Sequence, residues 1–158
     1  MSIDQYGEKA PSRRSRPVAI KEIESIEIDF LLLADWAETL GGKLYIQGGG
    51  WDRKLFQAEG RPSSFAVAAG ILVPWNLTNM QHSFALTFET GDGASFGPNI
   101  NGGFNMGRPA KSTPGQKFRA ALAVRIDMPL PGLGSYSVSL NVNGEISKRV
   151  SFYVVDSL

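Results

Sequence analysis

The chain lacks the residues on which several classes of function depend. Its 158 residues include no cysteine, which excludes disulfide bonds and thiolate metal sites, and only one histidine, His82. The acidic residues are scattered along the chain rather than clustered. The apolar run Phe30–Ala34 is far too short to span a bilayer, and the N-terminus carries no apolar signal-peptide segment. We therefore expect a non-enzymatic protein with no cofactor, no metal and no membrane partner. Its expected location is cytoplasmic, with release by a route without a cleaved signal as the alternative.

Glycine is abundant, with 18 residues, but the glycines do not form a nucleotide-binding motif. The run Gly48–Gly50 leads into a broken segment rather than the helix that a phosphate-binding loop requires. Arg53 stands where the third glycine of a GxGxxG motif would be, and no GKS or GKT sequence is present. Together with nine prolines, the glycines instead indicate many turns between strands.

Positive charge is concentrated near the N-terminus. Residues 9–21 contain five basic residues and no acid, whereas residues 22–158 contain 11 basic and 13 acidic residues. We therefore expect residues 1–24 to form a flexible basic arm and residues 25–158 to form the folded domain. The arm is predicted to be a solubilising tail, a nucleic-acid contact or a segment that docks on a neighbouring subunit. The arm residues that would make such contacts are Arg13, Arg14 and Arg16.

Apolar and polar residues alternate along most of the domain, which is the pattern of strands with one buried face. In the clearest example, every second residue from Phe118 to Met128 is apolar. Similar segments recur without a strong helical period. They predict an antiparallel β-sandwich of about eight strands, immunoglobulin-like or a related Greek key, with a closed barrel as the alternative. Within it, we expect one short strand near 103–108 and a single turn of helix within 74–83.

A Gly41–Gly42 pair between two strand-like segments predicts a hairpin. If these two residues form the turn, Asp35 lies opposite Gly48, and the glycine run packs beside the most buried part of the first strand. Absent side chains there would let a backbone or a large ring approach closely. We also expect Asp35 and Arg53 to lie near each other at this edge.

The last hairpin can be placed in register by its apolar residues. A two-residue turn would oppose Val138 to Arg149 and mix the two faces of the sheet. A three-residue loop, Asn143–Glu145, instead opposes Val138 to Val150 and keeps apolar residues on one face. This register predicts a bulged turn with Gly144 in the left-handed conformation.

The tryptophans raise the possibility of a ligand site. An aromatic platform for a carbohydrate or another small ligand would use Trp51, Asp52, Arg53 and Trp75, provided that the two rings converge on one exposed concave patch. The alternative is that Trp51 and Trp75 are half-buried rings that close strand ends. Trp36 lies in an apolar strand and is expected in the core.

Several short patterns carry a family resemblance. An apolar run ends in Ala-Asp-aromatic-Ala and is followed by Gly-Lys-Leu, an apolar strand, a glycine run and aromatic-Asp. The matching residues are Leu33–Ala37, Gly42–Leu44 and Gly48–Asp52, with further matches at Leu72–Trp75, Gly107–Pro109 and Met128–Tyr136. The chain resembles a family of small bacterial β-sandwich proteins known only as a domain of unknown function. The resemblance covers about residues 30–155 and implies the fold but no activity.

The leading functional expectation is a binding or structural module that works through protein–protein contacts or self-association. Sheet edges in a sandwich can accept partner strands, and the arm offers a second contact. A small-ligand or carbohydrate-binding domain and a nucleic-acid contact through the arm are the alternatives.

Overall fold

Residues 24–158, the part of the chain that the computed structural model describes, form nine β-strands and one 3₁₀ turn. The 3₁₀ turn, Trp75–Leu77, connects β4 to β5 and confirms the single predicted helical turn. The predicted arm contacts Arg13, Arg14 and Arg16 lie outside the described residues. The strands are β1 (Glu27–Leu40), β2 (Lys43–Gly49), β3 (Arg53–Leu55), β4 (Ser63–Pro74), β5 (Gln81–Thr90), β6 (Ser95–Asn105), β7 (Lys117–Met128), β8 (Gly134–Val142) and β9 (Ile146–Val155).

The strands form two sheets that pack face to face as a β-sandwich, as the alternating sequence pattern predicts. One sheet has four strands in the order β2-β1-β4-β7, and the other has five in the order β3-β9-β8-β5-β6. Neighbouring strands are antiparallel except β3 and β9, which run parallel. Within residues 24–158, both sheets keep two edges, so the strands form a sandwich and not a closed barrel.

The core lies between the sheets and is built from alternate residues of the central strands. In β4, Phe65, Val67 and Ile71 point toward the other sheet and are at most 1% exposed. Each fully buried aliphatic or aromatic side chain contributes about 1.5–3 kcal/mol, so a one-residue slip of β4 would be costly. The core residues across from β4 are Leu86, Phe88, Val138, Leu140 and Phe152.

The strand order is that of an immunoglobulin-like Greek key. Strands β1, β4 and β7 share one sheet and β5, β8 and β9 the other, which matches the A-B-E and C-F-G division of immunoglobulin domains. The Tyr136 hydroxyl, at the start of β8, donates to the Gly132 carbonyl at 2.7 Å and accepts from the Gly132 N–H at 3.0 Å. This pair is the tyrosine corner of that fold.

Both predicted hairpin registers are confirmed. Leu40 opposes Lys43 across the Gly41–Gly42 turn, and both glycines have positive φ, +58° and +73°. In the last hairpin, Val138 opposes Val150 across the three-residue loop. Gly144 has φ +73°, as the bulged turn requires.

The segment between β5 and β7 differs from its prediction. Instead of one short strand near 103–108, an 11-residue strand runs from Ser95 to Asn105. Its glycines and Pro98 indicated turns, but β6 is an edge strand that pairs only with β5 among the described strands. An edge strand tolerates proline and glycine because one side of it makes no ladder hydrogen bonds. The strand count of nine also exceeds the prediction, because β3 has only three residues and shows no pattern.

The tyrosine corner is expected to stabilise the β7–β8 connection. Tyr136→Phe removes both hydrogen bonds to Gly132 and should lower the free energy of unfolding by about 1–2 kcal/mol. Urea unfolding would show this as a lower midpoint with an unchanged slope. Tyr45→Phe is the matched control, because the Tyr45 side chain is 45% exposed on β2. Equal midpoints for the two variants would contradict a stabilising role of the corner.

Candidate functional site

The glycine run lies at the end of β2 and packs against β1. The Gly50 N–H donates to the Leu33 carbonyl at 2.7 Å, so the predicted register extends through the run. Gly48 has φ +59°, and a Cβ built on it would lie only 2.7 Å from Asp35 Cγ. Asp35 therefore faces Gly48, as predicted, and its side chain fills the space that the glycine leaves. The glycine run therefore allows β2 to pack closely against β1 at the end of the strand. No helix follows it to form a phosphate loop.

Trp51, which follows the glycine run, is half-buried and closes this end of the sandwich. Its ring meets Phe65 and Phe152 edge-on, with centroid separations of 5.9 and 5.8 Å. The Lys54 ammonium lies 5.3 Å from the Trp51 ring centroid. Core rings and a cation thus occupy the surfaces on which a sugar would have to stack.

The basic residue whose charge acts on Asp35 is Lys54. Among residues 24–158, no ion pair joins Asp35 to Arg53, so their predicted proximity stays a prediction. Burial lowers the pKa of Lys54 from its ordinary value, and the Asp35 carboxylate partly opposes that shift. Consecutive residues of a strand point to opposite sides, so when Lys54 turns toward the sandwich, Arg53 turns to solvent. Arg53 and Asp52 are both exposed.

Trp75 is held at the other end of the sandwich by Arg108. The Arg108 guanidinium carbon lies 3.7 Å from the Trp75 ring centroid. Its Nε donates to Thr78 Oγ1 at 2.8 Å, and its Nη2 donates to the Trp75 carbonyl at 3.1 Å. The arginine covers one ring face and ties the segment after β6 to the 3₁₀ turn.

The two predicted ligand rings are not brought together. Trp51 packs on Phe65, near the start of β4, whereas Trp75 follows Pro74, the last residue of that strand. Ten residues of extended chain from Phe65 to Trp75 span about 33 Å. The candidate contacts Trp51, Asp52, Arg53 and Trp75 therefore form no common concave patch.

Trp36 departs from its prediction as a core residue, because it is 39% exposed. The β1–β4 ladder ends at the pair Ala34–Ala66, and β1 continues beyond it with β2 alone. Trp36 lies in this part of β1, beyond the end of the ladder with β4. Apolar content alone could not reveal where the ladder stops.

His82, at the start of β5, has a structural role. It is 4% exposed, and its Nε2 lies 2.8 Å from the Leu77 carbonyl oxygen. Asn143 Nδ2 lies 3.1 Å from His82 Nδ1, and Asn143 Oδ1 accepts from the Ser83 N–H at 2.9 Å. The ring thus ties the 3₁₀ turn to the β8–β9 loop, and both its nitrogens are engaged.

A cleft of about 410 Å³ opens between the β5–β6 turn and the β7–β8 loop. It is lined by Thr90–Asp92 and Pro131–Tyr136, so its one carboxylate is that of Asp92. The Thr90 hydroxyl donates to that carboxylate and, with the Ala94 N–H, lowers the pKa of Asp92. The Asp92 carboxylate is therefore ionised and hydrogen-bonded within its own turn. Among the described residues, no second carboxylate and no histidine lines this cleft to act with it as an acid–base pair.

Ser95 lies in a GxSxG pattern, Gly93–Gly97, but its surroundings are not those of a nucleophile elbow. An elbow needs a strand, a sharp turn and then a helix, whereas Ser95 follows a hairpin turn and begins β6. The residues between 24 and 158 also include no group of three histidine, aspartate or glutamate side chains able to hold a metal ion.

The two outer faces of the sandwich differ in character. On the five-stranded sheet, the solvent side is polar, as is usual for an antiparallel sheet with one wet face. Arg149 Nη2 there donates to Glu89 Oε2 at 2.9 Å. The other outward residues of this face include Thr87, Ser135, Ser137, Ser139, Ser147 and Ser151.

The outer face of the four-stranded sheet is apolar. Ala66 and Ala68 point away from the core, yet they are at most 2% exposed because neighbouring apolar side chains crowd over them. The Phe30 ring covers Gly70 in the same way. We call this surface the alanine face. It comprises Phe30, Leu32, Ala34, Ala37, Leu44, Ile46, Ala66, Ala68, Gly70 and Ala123.

Charged residues border the alanine face, and they are paired with one another. Asp127 also accepts from the Ser64 hydroxyl, and this hydrogen bond, with help from Arg125, lowers the pKa of Asp127. The border therefore carries no net charge from these pairs. The ion pairs are Lys117–Glu27 at 3.7 Å, Arg119–Asp29, and Arg125–Asp127 at 2.9 Å.

Comparison with known protein families matches residues 29–155 to DUF6941, a family of unknown function. The chain belongs to this family. The resemblance drawn from the short patterns is thus confirmed at the level of a domain of unknown function. The comparison with curated proteins found no match for this DUF6941 member. Between residues 24 and 158, no helix is long and apolar enough to cross a membrane.

The alanine face is the surface that sequence reasoning missed in this DUF6941 chain. A signal for it was present in β4, where the run Phe65–Val73 is apolar at nearly every position instead of every second one. Such a run is typical of a central strand that is covered on both sides. The structure covers one side with the second sheet and part of the other side with Ala37 and Leu44 of the β1–β2 hairpin, and the rest is the outer face.

Alanine substitutions at Gly48 and Gly50 would distinguish the cost of a left-handed backbone from the cost of a steric clash with a neighbouring side chain. Both have positive φ, but a Cβ on Gly50 would meet nothing within 4 Å, whereas one on Gly48 would meet Asp35. Gly50→Ala should therefore cost about 1–2 kcal/mol of unfolding free energy, and Gly48→Ala more. Adding Asp35→Ala to Gly48→Ala should recover part of the loss. Equal unfolding free energies for the two single variants would show that Asp35 does not restrict this position.

Proposed function

We propose that this DUF6941 member is a non-enzymatic module that acts through protein–protein contacts, with a second copy of the chain as its partner. The observation that carries the proposal is the apolar character of the alanine face. A contiguous apolar patch with a polar border is the usual mark of a protein-binding surface. The polar outer face of the other sheet provides the internal comparison, because it has the composition of a surface that stays wet.

Folding alone does not account for the larger side chains of the alanine face. Burial between neighbours explains Ala66 and Ala68, which are nearly inaccessible. Ile46, however, is 38% exposed, and Leu32 and Phe30 are also only partly covered. Covering such residues with a partner would remove further apolar area from water, at about 25 cal/mol per Å².

The charge distribution favours a second copy as the partner. A face bordered by one sign of charge would repel its own copy, because like charges brought together at an interface cost several kcal/mol. Here the bordering charges are already neutralised in pairs such as Arg125–Asp127 and Lys117–Glu27.

The two alternative functions gain no support from the geometry. The carbohydrate proposal needs Trp51 and Trp75 on one patch, and these rings lie at opposite ends of β4. Nucleic-acid contact through Arg13, Arg14 and Arg16 concerns residues outside the described part of the chain and stays a prediction. The cytoplasmic location inferred from the sequence stays a prediction as well.

The alanine face is tested by placing one charge on it. Ile46→Glu should weaken self-association at least about tenfold, because full burial of an isoleucine contributes about 1.5–3 kcal/mol and a buried lone carboxylate adds a penalty. Sedimentation velocity of the full chain over a wide concentration range measures the association constant. Since Ile46 is partly exposed, the variant should fold normally, which circular dichroism and urea unfolding would verify.

The matched control places the same charge on the polar outer face. Ser151→Glu, at an exposed position on β9, should leave the association constant unchanged. A wild-type chain that stays monomeric at every concentration would overturn self-association. Association that is equally sensitive to Ile46→Glu and Ser151→Glu would show that net charge, and not the alanine face, controls it.

A further inference from the structure

The four sheet edges are not equally protected against pairing with another strand. Edge strands are usually short, interrupted by glycine or proline, or bulged. Strand β3 has three residues, β2 contains Gly48 at φ +59°, and β6 contains Pro98 and Gly97 at φ +65°. Strand β7 has 12 residues with no glycine and no proline, and among the described strands it pairs with β4 alone. This edge is about 40 Å long and continuous.

The core-facing residues of β7 are also incompletely covered. Ile126 and Met128, at the end of the strand, are 2% and 5% exposed. Phe118, Leu122 and Val124 point the same way but are only partly buried. One more strand beside β7 would cover these side chains and would complete this side of the core.

The immunoglobulin-like frame has a place for such a strand. In a seven-stranded immunoglobulin domain, strand D pairs with strand E at the edge of the A-B-E-D sheet. Strand β7 stands in the position of strand E, and residues 106–116, between β6 and β7, form no strand. Within the described residues, the place beside β7 is therefore not filled.

We propose that β7 pairs with β7 of a second copy, antiparallel and centred on Ala123, to join two four-stranded sheets into one sheet of eight. The inference goes beyond the alanine-face contact and depends on a different observation, the open edge. A two-fold axis perpendicular to the sheet, midway between the two copies of Ala123, makes the pairing symmetric and self-complementary.

The register follows from the charges on the outer side of β7. Centring on Ala123 places Arg119 opposite Asp127 of the partner, and the symmetry makes this favourable pair twice. Centring on Leu122 would pair Lys117 with Asp127 but would also oppose Arg119 to Arg125, and centring on Ala121 would oppose Lys117 to Arg125. Centring on Val124 gives no opposite-charge pair. On the core side, the chosen register sets Leu122 opposite Val124, two apolar residues that need cover.

The natural absence of cysteine makes disulfide trapping selective. Directly opposed residues of an antiparallel pair have Cα atoms about 4.5–5.5 Å apart, within disulfide range. Ala123→Cys should therefore form a disulfide-linked dimer of the full chain under mild oxidation. Ala121→Cys is the matched control, because its two copies would lie about 13 Å apart along the strands and should cross-link at least tenfold more slowly.

A second pair of variants separates edge pairing from stacking of the alanine faces. Leu122 and Val124 point toward the core, so cysteines there could meet across a β7–β7 edge but not across stacked outer faces. Mixing Leu122→Cys with a size-tagged Val124→Cys should give mostly the mixed disulfide, because each residue opposes the other in the proposed register. Urea unfolding of the reduced variants confirms that each one is folded.

The outcomes distinguish this proposal from the alanine-face contact. If Ala123→Cys still forms the disulfide when Ile46→Glu is also present, pairing at the β7 edge is supported even when the alanine faces do not associate. Self-association without a fast Ala123→Cys disulfide and without the mixed disulfide would overturn the edge and leave the face standing. Faster cross-linking at Ala121→Cys would overturn the register. If cross-linking occurs only after residues 1–23 are removed, that segment and not a second copy would occupy the β7 edge in the full chain, and the proposal would be overturned.

Discussion

The structure depends on the burial of strand β4 on both of its faces. Its inward residues, such as Val67 and Ile71, fill the core, while its outward residues Ala66 and Ala68 are covered by apolar neighbours within the same sheet. Only small outward residues allow β1 and β7 to close over β4 in this way. The same principle applies at Gly70, where the absence of a side chain leaves room for the ring of its cross-strand partner Phe30.

The length over which β1 pairs with β4 also determines how the ends of the sandwich are closed. Because β1 follows β4 only as far as Ala34, the rest of β1 relies on β2, and the glycine run carries the chain from there to Trp51. Trp51 then closes the core against Phe65 and Phe152. At the opposite end, Arg108 holds Trp75 in place. The residues that looked like a ligand site are thus two separate end closures, one at each end of β4.

The sequence predicted most of the architecture, because sheet register depends on local signals. The Gly41–Gly42 turn and the alternating faces of β8 and β9 determine which residues oppose one another, and both registers were predicted. Properties that depend on distant neighbours were not predicted. The exposure of Trp36 depends on where the β1–β4 ladder stops, and the strand at 95–105 depends on β6 being an edge. The alanine face escaped notice because an apolar run does not reveal whether protein or solvent lies beyond the sheet.

Two features that folding leaves unexplained lie on the four-stranded sheet. Its outer face has the composition of an interface, and its β7 edge lacks the interruptions that protect β2, β3 and β6. The five-stranded sheet has neither feature, since its outer face is rich in serine and threonine. A protein that merely needed to stay soluble would gain from polar residues on both outer faces. An asymmetry confined to one sheet is more simply explained by contact on that side, and joining two β7 edges would place two alanine faces side by side as one larger surface.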